Sequence, residues 1–283
     1  MSAAKTSLHR NVMLTIACLS FMLCNCEPVN IDNDDASASN PALPSDILAS
    51  YNFDETIGEW YERNTCCEWS ATLTDSVKRA GSGSGRIELR KGDLALGAPW
   101  SEFGLSPNKN REEWFAFSVY FPRSFVKDSL EESIVQWQAL PDFAKGEKWR
   151  SPPLLFGIVN DNVVLEIRST GKEVNIQGDY TFERLNLGKL AKEEWLDWVF
   201  HIRWAYDETG IIEVWKNGKL ILSRVNKPNS YNDAMYPYFK IGLYKWGWEK
   251  NKKTVTNSRV IFIDEVKVGN ENAGYEKVFA GSR

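Results

Sequence analysis

The sequence predicts an all-β domain, a β-sandwich of the jelly-roll kind, and three observations carry that expectation. Short runs rich in aromatic and β-branched residues recur along the chain, separated by turn residues. Helical periodicity is weak everywhere. The 12 tryptophans, 10 tyrosines and 14 phenylalanines suit strands that bury one face in a core between two sheets.

The chain divides into three parts. Residues 1–26 read as a processing segment. Lys5 and Arg10 make a basic start, and Val12 to Cys24 is mostly apolar but too short to span a bilayer. The segment ends in Leu23-Cys24-Asn25-Cys26, which resembles a bacterial lipoprotein signal with Cys26 as the lipidated residue. Cys24 and Cys18 are weaker candidates, and Asn25 is larger than the small residue such signals carry before the cysteine. Residues 27–46 form a polar, acidic tether with Asp32, Asp34 and Asp35, too poor in apolar residues to fold. Its acids resemble a surface-export signal of Bacteroidetes-type lipoproteins; the plainer reading is a solvated spacer. The expected location is the cell envelope, as an outer-membrane or cell-surface lipoprotein held by lipid alone, or else secreted or periplasmic.

Residues 47–283 are enough for one sizeable domain, expected to be a monomer. Without Lys5 and Arg10, and without the five acids up to Asp46, it holds 32 basic and 33 acidic residues of the chain's 34 and 38. Such a balance excludes nucleic-acid binding by bulk charge, and an acidic ligand needs a local basic groove. Cys66 and Cys67 are the only cysteines of this part. They lack the four spaced ligands of a zinc site and read as incidental or as a small local staple.

The clearest strands, in order, are Gly85 to Leu89, Trp114 to Phe121, Ser133 to Leu140, Leu154 to Val159 and Val163 to Arg168. Trp198 to Ala205, Ile211 to Lys216, Lys219 to Arg224, Tyr238 to Trp246 and Ser258 to Val268 follow. Asn160-Asp161-Asn162 and Asn217-Gly218 have the composition of hairpin turns. Leu187 to Trp195 is expected as a short helix or turn.

Strand parity then sorts side chains onto faces. In Tyr238-Phe239-Lys240-Ile241-Gly242-Leu243-Tyr244, the phenylalanine, isoleucine and leucine belong in the core. Tyr238, Lys240 and Tyr244 form a cationic and phenolic rail, with Gly242 as a gap where a ligand could approach the backbone. Arg86, Glu88 and Arg90 share a face, as do Gln136 and Gln138. Arginines pair with carboxylates bidentately, and a glutamine amide meets one without adding charge. Taken alone, the arginine strand is better explained as an exposed salt-bridged strand, and the glutamine strand is uninformative.

Together, the Arg86-to-Arg90, Gln136-Trp137-Gln138 and Tyr238-to-Tyr244 strands resemble, in order and spacing, the three motifs of jelly-roll alginate lyases. The wider text is closer to polysaccharide lyases of the heparin lyase and glucuronan lyase (family 20) type. Trp114 to Pro122, Ile134 to Gln138, the Trp198-to-Trp215 hairpin and Phe239 to Lys245 carry this likeness. The hairpin also resembles concanavalin A-like folds, which serve enzymes and lectins alike.

The resemblance implies a carbon–oxygen lyase that cleaves an acidic, uronate-containing polysaccharide (glucuronan-, alginate- or heparin-like) by β-elimination. It gives Tyr244 the glycosidic oxygen, Lys240 an assisting charge that lowers the phenol's pKa, and Gln136 the substrate carboxylate. Arg86, Arg90, Gln138, Arg203, Tyr238 and Trp246 become substrate-binding candidates. Gln138 stands where the alginate-type motif has histidine, so the base falls to His201, the one histidine of the domain, or to Tyr244 itself. The chemistry requires no cofactor. A structural calcium, as in related folds, would fall near Asp264 and Asp54; a hairpin carboxylate is the plainer reading. The rival function is a non-catalytic, lectin-like surface lipoprotein. A glycoside hydrolase would need paired carboxylates, and its Glu-x-Asp…Glu strand is missing.

Overall fold

The computed structural model describes residues 43–175 and 179–279. The expected leader, Cys26 and nearly all of the tether lie outside the described residues. The chain begins with strands β1 (Ile47–Tyr51), β2 (Glu62–Asn64), β3 (Ala71–Thr74), β4 (Ser84–Arg90) and β5 (Trp100–Gly104). It continues through β6 (Glu112–Tyr120), β7 (Glu132–Gln138), β8 (Leu154–Val159), β9 (Asn162–Ser169) and β10 (Thr181–Lys189). It closes with β11 (Trp195–Arg203), β12 (Ile211–Lys216), β13 (Lys219–Val225), β14 (Tyr238–Tyr244) and β15 (Ser258–Asn270).

These strands pair antiparallel into two sheets. The eight-stranded sheet runs β13, β12, β11, β6, β15, β4, β3, with β1 also paired to β15. The seven-stranded sheet runs β10, β9, β8, β7, β14, β5, β2. This is the jelly-roll sandwich that the strand pattern predicts. Period-2 alternation sends Phe115, Phe117 and Val119 of β6, Phe200 and Ile202 of β11, and Phe239, Ile241 and Leu243 of β14 into one core. Trp137 of β7 bridges the sheets, its ring 4.9 Å from Phe200 and 5.5 Å from Phe115. Each such side chain contributes about 1.5–3 kcal/mol on leaving water.

Both expected hairpin turns form. Asn160 and Asp161 take φ of 51° and 55°, and Asn217 and Gly218 take 49° and 79°. Asparagine, aspartate and glycine tolerate this left-handed pairing, which matches the twist of the flanking strands. The helix or turn expected over Leu187 to Trp195 is corrected. Leu187 to Lys189 extend β10, whose Leu185 and Leu187 alternate inward, and β11 starts at Trp195. Tertiary pairing with β9 decides that segment.

Candidate active site

The outer face of the seven-stranded sheet carries a groove of about 1090 Å³. Cross-strand register sets its floor as a row. Lys240 of β14 lies opposite Gln136 of β7 and Gly104 of β5, and Gly104 lies opposite Glu62 of β2. On the other flank Gln136 is opposite Leu155 of β8, then come Glu166 of β9 and Arg184 of β10. One strand step away Tyr238 faces Gln138, and at the far end of β14 Tyr244 faces Trp100. The rail and the glutamine strand therefore converge as expected.

Their chemistry is set by carboxylates. The Lys240 ammonium is buried (4 % exposed), 3.3 Å from Glu102 and 3.4 Å from Glu62. It also sits over the Trp100 ring, 4.6 Å from its centroid. Glu102 is fully buried and accepts a 2.6 Å hydrogen bond from the Gln136 amide. The Tyr238 hydroxyl donates to Glu62 at 3.0 Å, and burial, with Glu62, pushes that phenol up. The Gln138 amide donates to the Arg150 carbonyl at 3.0 Å.

Tyr244 is half-buried, packed on Trp100 at 5.3 Å and edge-on to Trp246 at 5.5 Å. Burial raises its pKa, and the charges of Glu249 and Glu102 add to the rise. The expectation that Lys240 lowers this phenol is thus corrected: the ammonium is spent on two carboxylates, with Trp100 between it and Tyr244. The turn that presents Trp246 rests on a buried ionic cluster. Lys245 donates to the Leu130 carbonyl at 2.7 Å and lies 3.3 Å from Asp128 and 3.5 Å from Glu132, which also holds Arg259 at 2.8 Å.

Gly242 is needed for a different reason from the expected ligand gap. Its φ is 145°, and a Cβ there would run into the Ser101 carbonyl of β5. The pairing of β14 with β7 shifts between Ile241 and Tyr244. Glycine lets two backbones approach at this irregularity.

Four expected site residues lie elsewhere. Arg86 and Arg90 are on β4, in the opposite sheet, and both pair with Glu88 on that sheet's outer face. Arg90 also covers the Trp69 ring at 4.1 Å. His201 and Arg203 share a face, as parity required, but β11 belongs to that opposite sheet as well. His201 lies between Glu112 (2.8 Å) and Glu213 (2.9 Å), stacked on Trp114 at 4.1 Å. Arg203 donates to the Thr209 carbonyl at 3.0 Å. The histidine base and the arginine-bearing strand are therefore corrected: the core separates them from the groove.

Sequence reading missed Glu62, Trp100, Glu102, Arg150, Glu166 and Arg168, all in or directly under the groove. The one available signal was in β9, where Val163, Leu165 and Ile167 point inward and leave Glu166 and Arg168 to the groove face.

The carboxylates named for the expected calcium are bonded to backbone amides. Asp54 accepts from the Ser82 and Gly83 amides, and Asp264 from the Arg79, Ala80 and Glu265 amides. Among the described residues, Cys66, Cys67 and Asp93 lie close enough to share an ion, but the two cysteines are joined as a disulfide. That bond is the local staple.

A family model described as polysaccharide lyase matches residues 49–267, and the chain belongs to that family. Among solved structures it is similar to the endo-β-1,4-glucuronan lyase of the fungus Trichoderma reesei. The TM-score is 0.72 at 19 % identity, over 84 % of this chain and 100 % of that one. It is also similar to an alginate lyase from Aplysia kurodai, with TM-score 0.49 and 11 % identity over 72 % and 87 % of the two chains. A search of curated proteins finds no match.

Proposed function

We propose that the protein is a carbon–oxygen lyase that cleaves a 4-linked uronate by β-elimination in the groove of the seven-stranded sheet, with Tyr244 at the reacting bond. The observation that carries this reading is the alignment of Tyr238, Lys240 and Tyr244 along the groove with Gln136 beside Lys240. Gln136, whose amide has a second N–H beyond the one given to Glu102, meets the substrate carboxylate and stabilises the enolate-like intermediate, while Lys240, neutralised by Glu62 and Glu102, holds the groove floor. Tyr244, as phenolate, takes the C5 proton; the C4–O4 bond breaks as the C4=C5 double bond forms; and the phenol returns the proton to O4. One group serves both steps because His201 is on the other sheet. The same reading keeps the enzyme at the cell envelope through lipidated Cys26.

Burial and Glu249 hold the Tyr244 proton on, so the reactive phenolate is scarce at neutral pH. The rate is expected to climb with pH through the neutral and mildly alkaline range. The test is ultraviolet absorbance of the unsaturated uronate while the protein is incubated with a panel of polyuronates and glycosaminoglycans. Tyr244→Phe should abolish the signal with the melting temperature nearly unchanged. Activity retained in that variant would remove Tyr244 from the chemistry. Binding without product on every polymer would instead establish a glycan-binding protein.

A further inference from the structure

We infer that Glu62 is a place-holder: its carboxylate occupies the subsite that a uronate carboxylate of the substrate takes over on binding. This rests on the lyase reading above and adds Glu62 to the residues that decide what the groove accepts. Three donors of different kinds converge on that one side chain. The Tyr238 hydroxyl donates to it at 3.0 Å and the Asn64 amide at 3.2 Å, and the Lys240 ammonium lies 3.4 Å away. A cation, a phenol and an amide are together what a carboxylate arriving from outside needs. Burial, with the charge of Glu62, pushes the Tyr238 phenol up, so its proton stays in place to be donated to either carboxylate.

The reach of Glu62 depends on Gly104. Glu62 belongs to β2 and Lys240 to β14, with β5 between them, and Gly104 is the β5 residue opposite both. A Cβ on Gly104 would lie 3.1 Å from the Glu62 Cβ and 3.2 Å from its Oε2. The bare backbone of Gly104 therefore leaves a trough across β5 to Lys240, and the Glu62 side chain lies in it. Gln136 stands opposite Lys240 on the other side, with its second N–H to give.

The two carboxylates on Lys240 differ in freedom. Glu102 is fully buried, accepts from Gln136 at 2.6 Å and sits inside the sheet on β5. The Glu62 side chain is 26 % exposed, and β2 is a strand of three residues at the end of the sheet. Turning Glu62 out to water leaves Lys240 paired with Glu102. A uronate carboxylate entering the trough then replaces one anion by another, with the same donors satisfied and the local charge unchanged. A neutral sugar offers no such exchange, because it would leave those donors without their anion. Glu62 is tethered beside the subsite, so it competes with every uronate at a high effective concentration.

The first readout is the kinetics of the full chain, by product absorbance, on 4-linked polymers of glucuronate, mannuronate and guluronate. Glu62→Gln removes the charge and keeps the shape and an acceptor for Tyr238. On any polymer that is cut, KM should fall about fivefold with kcat within about twofold of wild type, the change expected when only a competitor for binding is removed. A KM that is unchanged or higher would overturn the inference and leave the lyase intact. The second readout is a crystal structure of Tyr244→Phe with a tetrasaccharide of that polymer. A uronate carboxylate is expected within hydrogen-bond reach of Tyr238 and Lys240, with Glu62 turned away. Glu62 still on Lys240 would overturn the inference even where KM had fallen, since loss of one groove charge would then account for the fall. If no polymer is cut, the lyase reading fails by itself. The affinities of the three tetrasaccharides for Tyr244→Phe, with and without Glu62→Gln, then decide: a gain of about fivefold supports the place-holder, and equal affinity or no binding overturns it.

Discussion

Glu102 is the residue on which the groove's geometry most depends, and replacing it gives a quantitative test. Glu102→Met keeps roughly the same volume, so no large cavity opens. Three effects remain. Unit charges 3.3 Å apart attract by about 5 kcal/mol at an effective dielectric of ~20, and this is lost to Lys240. The Gln136 amide loses its 2.6 Å acceptor, which costs about 1–3 kcal/mol for a buried donor. Against these, Glu62 stays 3.4 Å from the ammonium, and burying Glu102 itself is no longer required. The net expectation is a loss of about 3–5 kcal/mol, typical of a buried pair with one partner removed. Urea unfolding, comparing midpoints at constant m, measures it.

The decisive comparison is the double variant Glu102→Met with Lys240→Met. With no buried ammonium left, most of the penalty should vanish, and the cycle should show a coupling of about 2 kcal/mol or more. A single variant within about 1 kcal/mol of wild type would refute this account of the groove floor. So would a double variant whose loss equals the sum of the two singles.

Two further outcomes are expected. His201→Ala should keep its lyase activity, because the side chain lies on the opposite sheet, while losing about 1–3 kcal/mol of stability with its two carboxylate partners; a drop in kcat without unfolding would return His201 to the mechanism. Glu113, buried in β6, is pushed up to about 7 by burial, against the Asn108 and Asn110 amides that bond its carboxylate. A raised carboxyl contributes stability that is complete below the unfolded value near 4.5 and is lost as pH rises through about 7, on the order of 3 kcal/mol here. Glu113→Gln should therefore gain on wild type by that amount between acidic and mildly alkaline buffers, and a constant difference in urea midpoint would refute the assignment.

The sequence disclosed faces well and sheets poorly, for a physical reason. Which side of a strand is apolar is a local property with a period of two, so Phe239, Ile241 and Leu243 could be placed in the core, and Lys240 and Tyr244 outside it, from seven residues alone. Which sheet a strand joins depends on partners far away in the chain. For Arg86 and His201 the face was right and the sheet was wrong, since β4 and β11 pair only within the eight-stranded sheet. No pattern inside either strand encodes that choice. Short strands fail differently. β2 is three residues long, and β5 reads Trp-Ser-Glu-Phe-Gly without a β-branched residue, so neither carries a strand signal. Yet those two strands bring Glu62, Trp100 and Glu102 to Lys240.

This difference bears on how the motif itself should be read. Tyr238, Lys240 and Tyr244 define a rail that the strand alone makes visible, but the state of each group on it is fixed by neighbours that the strand does not name. Lys240 looks like a free cation in sequence and is a neutralised, buried one in the fold. Tyr244 looks like an activated phenol and is held protonated. The charge of the groove floor therefore rests on the carboxylates that β2, β5 and β9 set against the motif as much as on the motif itself. Removing Glu102 should disturb the placement of Lys240 and Gln136, while removing the Tyr244 hydroxyl should stop the reaction with that floor intact.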